Sequence, residues 1–498
     1  MKFLKSLFLF SLLSLFIFPS CKKDKMLTDA NAKLGFSTDS ILFDTVFTTV
    51  GSTTKNFRIY NTHKQPMTIS KVSLGAGSNS QFRINVDGVS GTSITNTEIL
   101  AGDSLYVFVQ VTVNPTSALS PLLIKDSIIF ETNGNLQYVN LTAIGRNVYL
   151  QKPDHFPTNG LPPYSIIGSS SGPCNTTYWT NDKPHLIFGY AVVDSCCKLI
   201  MNPGTQVYLN KYAVLWVYKD GCLQVKGSLG NEVTFQGARL EPEYKEIPGQ
   251  WGKIWLMKGS INNIIDWAKI KNGAIGVQAE APDPTGTLPY LQLTNTIITN
   301  MEAAALYSIN GNIQSNNCVF ANCGQYVAAL TQGGTYNFEQ CTFADYWNSI
   351  PTNGTGGSSG GTRSSPLLVL NNFNIDNNNV ETFTNVKAYF GNCIIHGELA
   401  DEISLDSTTD FPGYHMNFVF DYSLLKTATV NTGSPAHFIS DYINNDPGFK
   451  DPSSNNYNLN ATTFCYQKGD PGAIVPYLDL NGVARGTPAD LGAYQRNP

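Results

Sequence analysis

Charge is what this 498-residue chain has least of. Asp, Glu, Lys and Arg together make up 14% of it, and the formal net charge is −5. Binding to a nucleic-acid backbone needs a basic patch, so the acidic balance argues against that class of partner. Beyond residue 18, no apolar run reaches the ~20 residues that a membrane-spanning helix requires. Of the ten cysteines, Cys21 stands apart near the N-terminus. The other nine are odd in number and cannot all pair, so the count demands no disulfide framework. In place of charge the chain has Asn, Thr, Ser and Gly in quantity, with aromatics at 11%. Abundant β-formers and turn residues with little charge point to an all-β exported protein, and the length to more than one domain.

The N-terminus fits export. Lys2 and Lys5 precede an apolar run from Leu7 to Phe18, then Pro19, Ser20 and Cys21, the pattern of a secretory signal over residues 1–20. The Ser20-Cys21 junction resembles the lipobox of bacterial (Bacteroidetes-like) lipoproteins, departing from the strict form at Phe18 and Pro19. That resemblance implies an acylated Cys21, a polar lipidated tether over residues 21–33, and a cell-envelope protein held at the outer membrane on its periplasmic or surface face. Removing Lys2 and Lys5 with the signal would take the net charge from −5 to −7.

Residues 34–147 alternate strand-like runs with turn signals. "NFRIYNTHKQPMTISKVSL" (56–74) reads as two strands about a turn, and "DSLYVFVQVTVNP" (103–115) alternates strongly. "DSIIFETNGNLQYVNLTAIG" (126–145) reads as a hairpin about Asn133-Gly134. Their order resembles the Ig-like domains of the ASH/MSP type, which implies a β-sandwich used as a spacer or binding module. No candidate site stands out here.

Residues 148–184 are rich in Pro, Gly and Ser and read as a linker and cap. From 185 to 498 the texture changes to short β runs broken by Gly-bearing turns. Five stretches repeat a pattern: "IIDWAKIKNG", "LQLTNTIITN", "NIQSNNCVFAN", "YNFEQCTFAD" and "AYFGNCIIHG". Aligned, they give one column of Ala268, Thr296, Cys318, Cys341 and Cys393, and a second of Ile270, Ile298, Phe320, Phe343 and Ile395. A third runs Asn272, Asn300, Asn322, Asp345 and Gly397. A recurring period with alternation inside each repeat marks a solenoid of strands. Alternation puts the first two columns on the inward face, so the cysteines form a ladder of small hydrophobes. A Cys318–Cys341 disulfide is geometrically conceivable, and a zinc site lacks a histidine in the columns. The asparagines read as a turn ladder that Asp345 continues. The outward row, Ile297, Val319 and Ile394 with Lys269 and Thr342, is apolar enough to need a cover, from the insertion at 347–384 or another segment.

The order "NPGTQVYL", "DGCLQVKGS", "VTFQG" and "QWGKIWL" (202–256) resembles the opening turns of right-handed parallel β-helices. The ending "DLNGVARGTPADLGAYQ" (479–495) is similar to the C-terminus of bacterial β-helix proteins of the pectin-lyase-like superfamily. The resemblance implies an all-β chain with an Ig-like β-sandwich followed by a right-handed parallel β-helix. It also makes Arg485 and Asp490 a salt-bridged turn capping the last coil, ahead of any catalytic role.

That superfamily includes polysaccharide lyases and hydrolases, but the Asn-Thr-Asp, Asp-Asp, Gly-His-Gly and Arg-Ile-Lys segments of its hydrolases are missing here. Inverting hydrolysis needs two carboxyls ~6.5–9.5 Å apart; Asp266 and Glu339 share a column but stand several rungs apart. The catalytic candidates are His396, Glu398, Asp401 and Glu402, an acidic run that reads more readily as solvated surface. Trp251, Trp255, Tyr290 and Trp347 are candidate ligand platforms, each as readily core. No metal or cofactor is expected; calcium is conceivable for the acidic groups at Glu241, Glu243 and Glu246 and at Glu398, Asp401, Glu402 and Asp406, but nothing else supports it. The expectation is a lipid-anchored envelope protein with Cys21 in the membrane. Its β-helix holds a polysaccharide or another surface protein without catalysis. The alternative is a lyase or glycoside hydrolase acting on acidic polysaccharide.

Overall fold

A computed structural model describes residues 25–115, 121–168, 174–281, 290–347, 363–376, 378–407 and 413–496. The signal segment, Cys21 and residues 348–362 of the insertion lie outside the described residues. None of the described helices is long and apolar enough to cross a membrane. The chain divides into two compact units, 1–147 and 148–498.

The first unit is a β-sandwich of two five-stranded sheets. One runs in the order 35–36, 55–60, 104–111, 82–86, 89–91, and the other 40–47, 135–146, 122–132, 67–74, 93–99. Strand 104–111 shows why it folds: Val107, Val109 and Val111 are wholly buried, while Tyr106, Phe108 and Gln110 point out. The expected hairpin forms between 122–132 and 135–146, with Asn133 and Gly134 both at positive φ (51° and 78°), as a two-residue turn of this hand requires. Asn61, at a strand end, is buried. Its Nδ2 donates to the carbonyls of Gln65, Ile99 and Leu100, so it ties the chain where it passes between the sheets. Residues 25–33, expected as part of a free tether, lie against the sandwich instead. The Leu27 amide donates to Pro66, Ala32 is buried, and Asn135 Nδ2 donates to Ala30 O. Apolar Leu27 and Ala32 explain the docking.

The second unit is a parallel β-helix. The chain visits three sheets in turn, of eleven, nine and ten strands, and within them almost every strand pairs in parallel with the strand one lap before it. Residues 148–184, read from sequence as linker and cap, supply the first strand of each sheet, at 149–151, 164–166 and 176–179. The register reproduces the aligned columns: Ile298 lies beside Phe320, Phe320 beside Phe343, and Phe343 beside Ile395. Cys318, Cys341 and Cys393 are buried free thiols, not a disulfide. The bridge that does form joins Cys174 to Cys196. Phe338, Phe390, Phe420 and Phe438 stack along the ten-stranded sheet at 5.2, 4.9 and 5.5 Å.

Two asparagine files mark the corners. Asn272, Asn300 and Asn322 have φ of 66°, 59° and 50°, and Asn300 Nδ2 donates to Asn272 Oδ1 at 2.6 Å. A second file, one residue before the cysteine column, holds Asn295, Asn317, Gln340 and Asn392, again all at positive φ. Asparagine tolerates the left-handed region better than most residues, which accounts for its abundance.

Among the described residues, the apolar outward row is covered by the C-terminal segment. Val319, Ile394 and Leu424 pack with Phe449, Tyr457, Leu459, Leu491 and Tyr494, and the Ala493 amide donates to Thr342 Oγ1. Arg485 and Asp490 correct the expectation of a salt-bridged end cap. Arg485 Nη2 donates to Asn317 Oδ1 (2.6 Å) and Ala493 O (3.0 Å) on the flank of the coil. Asp490 accepts from the amides of Gln467 and Arg496. The ion pairs among the described residues do not join them.

Candidate functional site

Three of the four catalytic candidates, His396, Asp401 and Glu402, are consumed by structure. Strand 394–397 carries His396 to a buried position where Nδ1 meets Tyr346 Oη at 2.9 Å. Burial, with Lys426 nearby, lowers its pKa to about 4, so the ring is neutral at neutral pH. Asp401 Oδ1 accepts from Thr427 Oγ1 and from the amides of Ala428 and Thr429 at 2.9, 2.6 and 2.7 Å. These bonds hold its pKa below the usual carboxylate range and make it a loop staple. Glu398 is half-buried on the same turn, its amide bonded to Asp345 O.

Glu402 is fully buried, gripped at both oxygens by Arg363 (2.7 and 2.6 Å) and by the amides of Leu367 and Leu399. Arg363 Nε lies 3.3 Å from Asp345 Oδ2, and all three side chains have no exposed surface. Asp345 therefore keeps its place in the turn file, beside Gly397, but its carboxyl turns to the arginine instead of the next amide. Desolvation outweighs Arg363 and, with Glu402 adjacent, pushes Asp345 up to about 8. Gly397 is required here, since a Cβ would sit 2.1 Å from Glu402 Oε1. A group this closed cannot touch a polymer. It clasps the end of the insertion to the coil.

All four aromatic candidates are buried or half-buried. Trp251 and Tyr290 are buried, donating to Lys271 O and Met257 O. Trp347 is half-buried beside Gly324. Trp255 does face outward, on the nine-stranded sheet. Its ring lies flat on Trp216 at 5.0 Å, under Lys253 Nζ at 4.7 Å, with its N–H on Glu280 at 2.7 Å. Both faces of Trp255 are thus occupied, and Trp216 was not singled out from sequence.

A group that sequence reasoning half found lies on the outward face of the ten-stranded sheet. One outward column runs Asp266, Thr294, Asn316, Glu339, Gly391 and Asp421, and beside it run Gln292, Gln314, Asn337 and Tyr389. Glu339 and Asp421 are two laps apart, roughly 10 Å along the axis at ~4.8 Å per lap. Between them the Tyr389 ring lies over Gly391, where a Cβ would come within 2.7 Å of it. Tyr389 Oη donates to Asp421 Oδ2 at 2.8 Å, and Asn337 Nδ2 to Glu339 Oε1 at 3.0 Å. Burial and the Asp421 carboxylate raise the Tyr389 pKa, so the phenol stays a donor. Asp421 was missed because the preceding excursion breaks the period. The signal was there in "YFGNC" over "VFDYS", which aligns Gly391 with Asp421 and Cys393 with Ser423. No group of three or more His, Cys, Asp or Glu side chains suited to a metal ion occurs among the described residues.

No family model and no curated protein matches the chain. Among solved structures it is similar to the catalytic unit of a GH87 α-1,3-glucanase from Streptomyces thermodiastaticus, at 9% identity over 81% of this chain and 77% of that one, with a TM-score of 0.28. An ASH/PapD-like domain of human CEP192 is similar at 12% identity over 26% of this chain and 97% of the domain, with a TM-score of 0.17. A family 123 glycoside hydrolase from Clostridium perfringens is similar at 8% identity and a TM-score of 0.17, over 23% of this chain and only 26% of that one. At these values none informs what the chain does.

Proposed function

We propose that the β-helix engages a polysaccharide along the outward face of its ten-stranded sheet, and that the chemistry there is glycoside hydrolysis. The observation behind this is the pair of outward carboxylates, Glu339 and Asp421, two laps apart with the Tyr389 phenol between them. A backbone separation of roughly 10 Å lets the side chains lean to the ~6.5–9.5 Å of an inverting pair. In that scheme one carboxyl protonates the leaving oxygen while the other activates water, and Tyr389 orients Asp421. The amides of Gln292, Gln314 and Asn337 suit hydroxyl-rich rings laid along the axis. The test is release of reducing ends from a panel of neutral and acidic polysaccharides. Glu339→Gln and Asp421→Asn should each lower the rate by a factor on the order of a hundred or more and leave thermal stability in place.

A non-catalytic hold on a glycan or another surface protein is the second reading. It is favoured by the structural use of His396, Asp401 and Glu402. It would be preferred if wild type bound polysaccharide without cleaving it. For placement, we infer from Cys21 a lipid anchor at the cell envelope. Metabolic incorporation of labelled palmitate that is lost in Cys21→Ser checks this.

A further inference from the structure

We propose a second glycan site, on the Ig-like unit: the outward face of its 35–36, 55–60, 104–111, 82–86, 89–91 sheet binds an acidic polysaccharide. Two large rings stand unburied in its centre, Tyr106 at 41% and Phe108 at 39% exposure, 5.9 Å apart and nearly parallel. The register surrounds them with hydrogen-bonding groups. Asn56 and Asn85 flank Phe108 from either side, and Arg58 and Arg83 stand opposite Tyr106 and Gln110. Phe108, Asn85, Arg83 and Gln110 line a hollow of about 660 Å³.

Charge selects the ligand. The strands of this sheet contain no Asp or Glu, and the ion pairs among the described residues include neither arginine. Arg58 lies 4.5 Å from the Tyr106 ring centroid and donates to its hydroxyl. Arg83 Nη1 donates only to backbone, the carbonyls of Ser80 and Phe82. A cationic, aromatic face whose strands carry no carboxylate, with Asp87 in the turn at its edge, on a chain of net charge −5 is complementary to an anion. Exposed rings stack on the C–H faces of sugars, side-chain amides meet hydroxyls, and a guanidinium takes a carboxylate or sulfate in two-pronged fashion. The hollow favours a chain of rings over a flat bilayer.

The site does not depend on the β-helix reading, and the test keeps them apart. Full-length protein carrying Glu339→Gln and Asp421→Asn is titrated calorimetrically with oligogalacturonate and with neutral xylo-oligosaccharide at low and high salt. Binding of the acidic ligand alone, weakening with salt, is expected. Phe108→Ala should cut affinity about tenfold, and Arg58→Gln with Arg83→Gln should remove the salt dependence. All three residues are surface groups, and an unchanged melting temperature confirms the fold. Equal affinity for the neutral ligand, no binding of the acidic one, or full binding by Phe108→Ala overturns the proposal. So does Phe108-dependent binding to phosphatidylserine vesicles without glycan binding, which would assign the face to a membrane.

Discussion

At the scale of single residues, the buried clasp is the most consequential group. Two acids and one guanidinium share a dry site, so Glu402 and Arg363 are paired while Asp345 carries the proton. Glu402→Gln should cost ~3–5 kcal/mol in denaturant unfolding, because it strands Arg363. Asp345→Asn mimics the protonated form and should cost far less. The pH dependence follows from opposite shifts, upward in Asp345 and Asp441 and downward in His396 and His185. Asp345, raised to about 8, holds a proton that the unfolded chain releases near its ordinary value, so its contribution is lost as pH rises towards 8. His396, lowered to about 4, contributes stability that is present above its ordinary value and lost as pH falls. The two oppose each other in the acid range. Above the ordinary histidine value the Asp345 slope remains, joined up to about 7 by that of Asp441, whose burial raises it to about 7. Stability measured from pH 6.5 to 8 should therefore decline by on the order of 2 kcal/mol in wild type. In Asp345→Asn the decline should be smaller, confined to the Asp441 slope, and level off above about 7. None of this was readable beforehand, since Arg363 arrives from an insertion whose register no repeat specifies.

At the scale of elements, the period-two alternation and the 22–23-residue repeat made the strands and inward columns legible. Each inward position faces the same position one lap away, so composition repeats where the environment repeats. The asparagine file was legible for the same reason, whereas its twin at Asn295, Asn317 and Asn392 went unseen beside the more conspicuous cysteines. Both files make one prediction. Asn317 adopts φ 57°, donates to Asn295 Oδ1 at 2.7 Å and accepts from Arg485. Asn317→Ala loses the side-chain bonds and strains the left-handed corner, so it should cost ~2–3 kcal/mol. Asn317→Gly keeps the corner and should cost less. Equal losses would mean that the amide bonds, and not the backbone corner, set the requirement for asparagine.

At the scale of the molecule, a sheet face needed a cover, and that need was visible in Ile297, Val319 and Ile394. Which segment supplies it was not, because no periodicity links residues 445–496 to the row they shield. That segment brings Phe449, Tyr457, Leu459, Leu491 and Tyr494 onto Val319, Ile394 and Leu424, and it is pinned by Arg485 on Asn317 and by the Ala493 amide on Thr342. Burial of each large side chain contributes ~1.5–3 kcal/mol, so the flank is worth more than any single substitution in the coil. A chain ending at residue 444 should keep its parallel laps, whose hydrogen bonds and inward columns owe nothing to the flank. It should nonetheless bind a hydrophobic dye and self-associate through the bared row. Restoring residues 445–498 in trans as a peptide should reverse both effects. Unchanged dye binding by the shortened chain would mean that the row tolerates water and that the flank serves some other purpose.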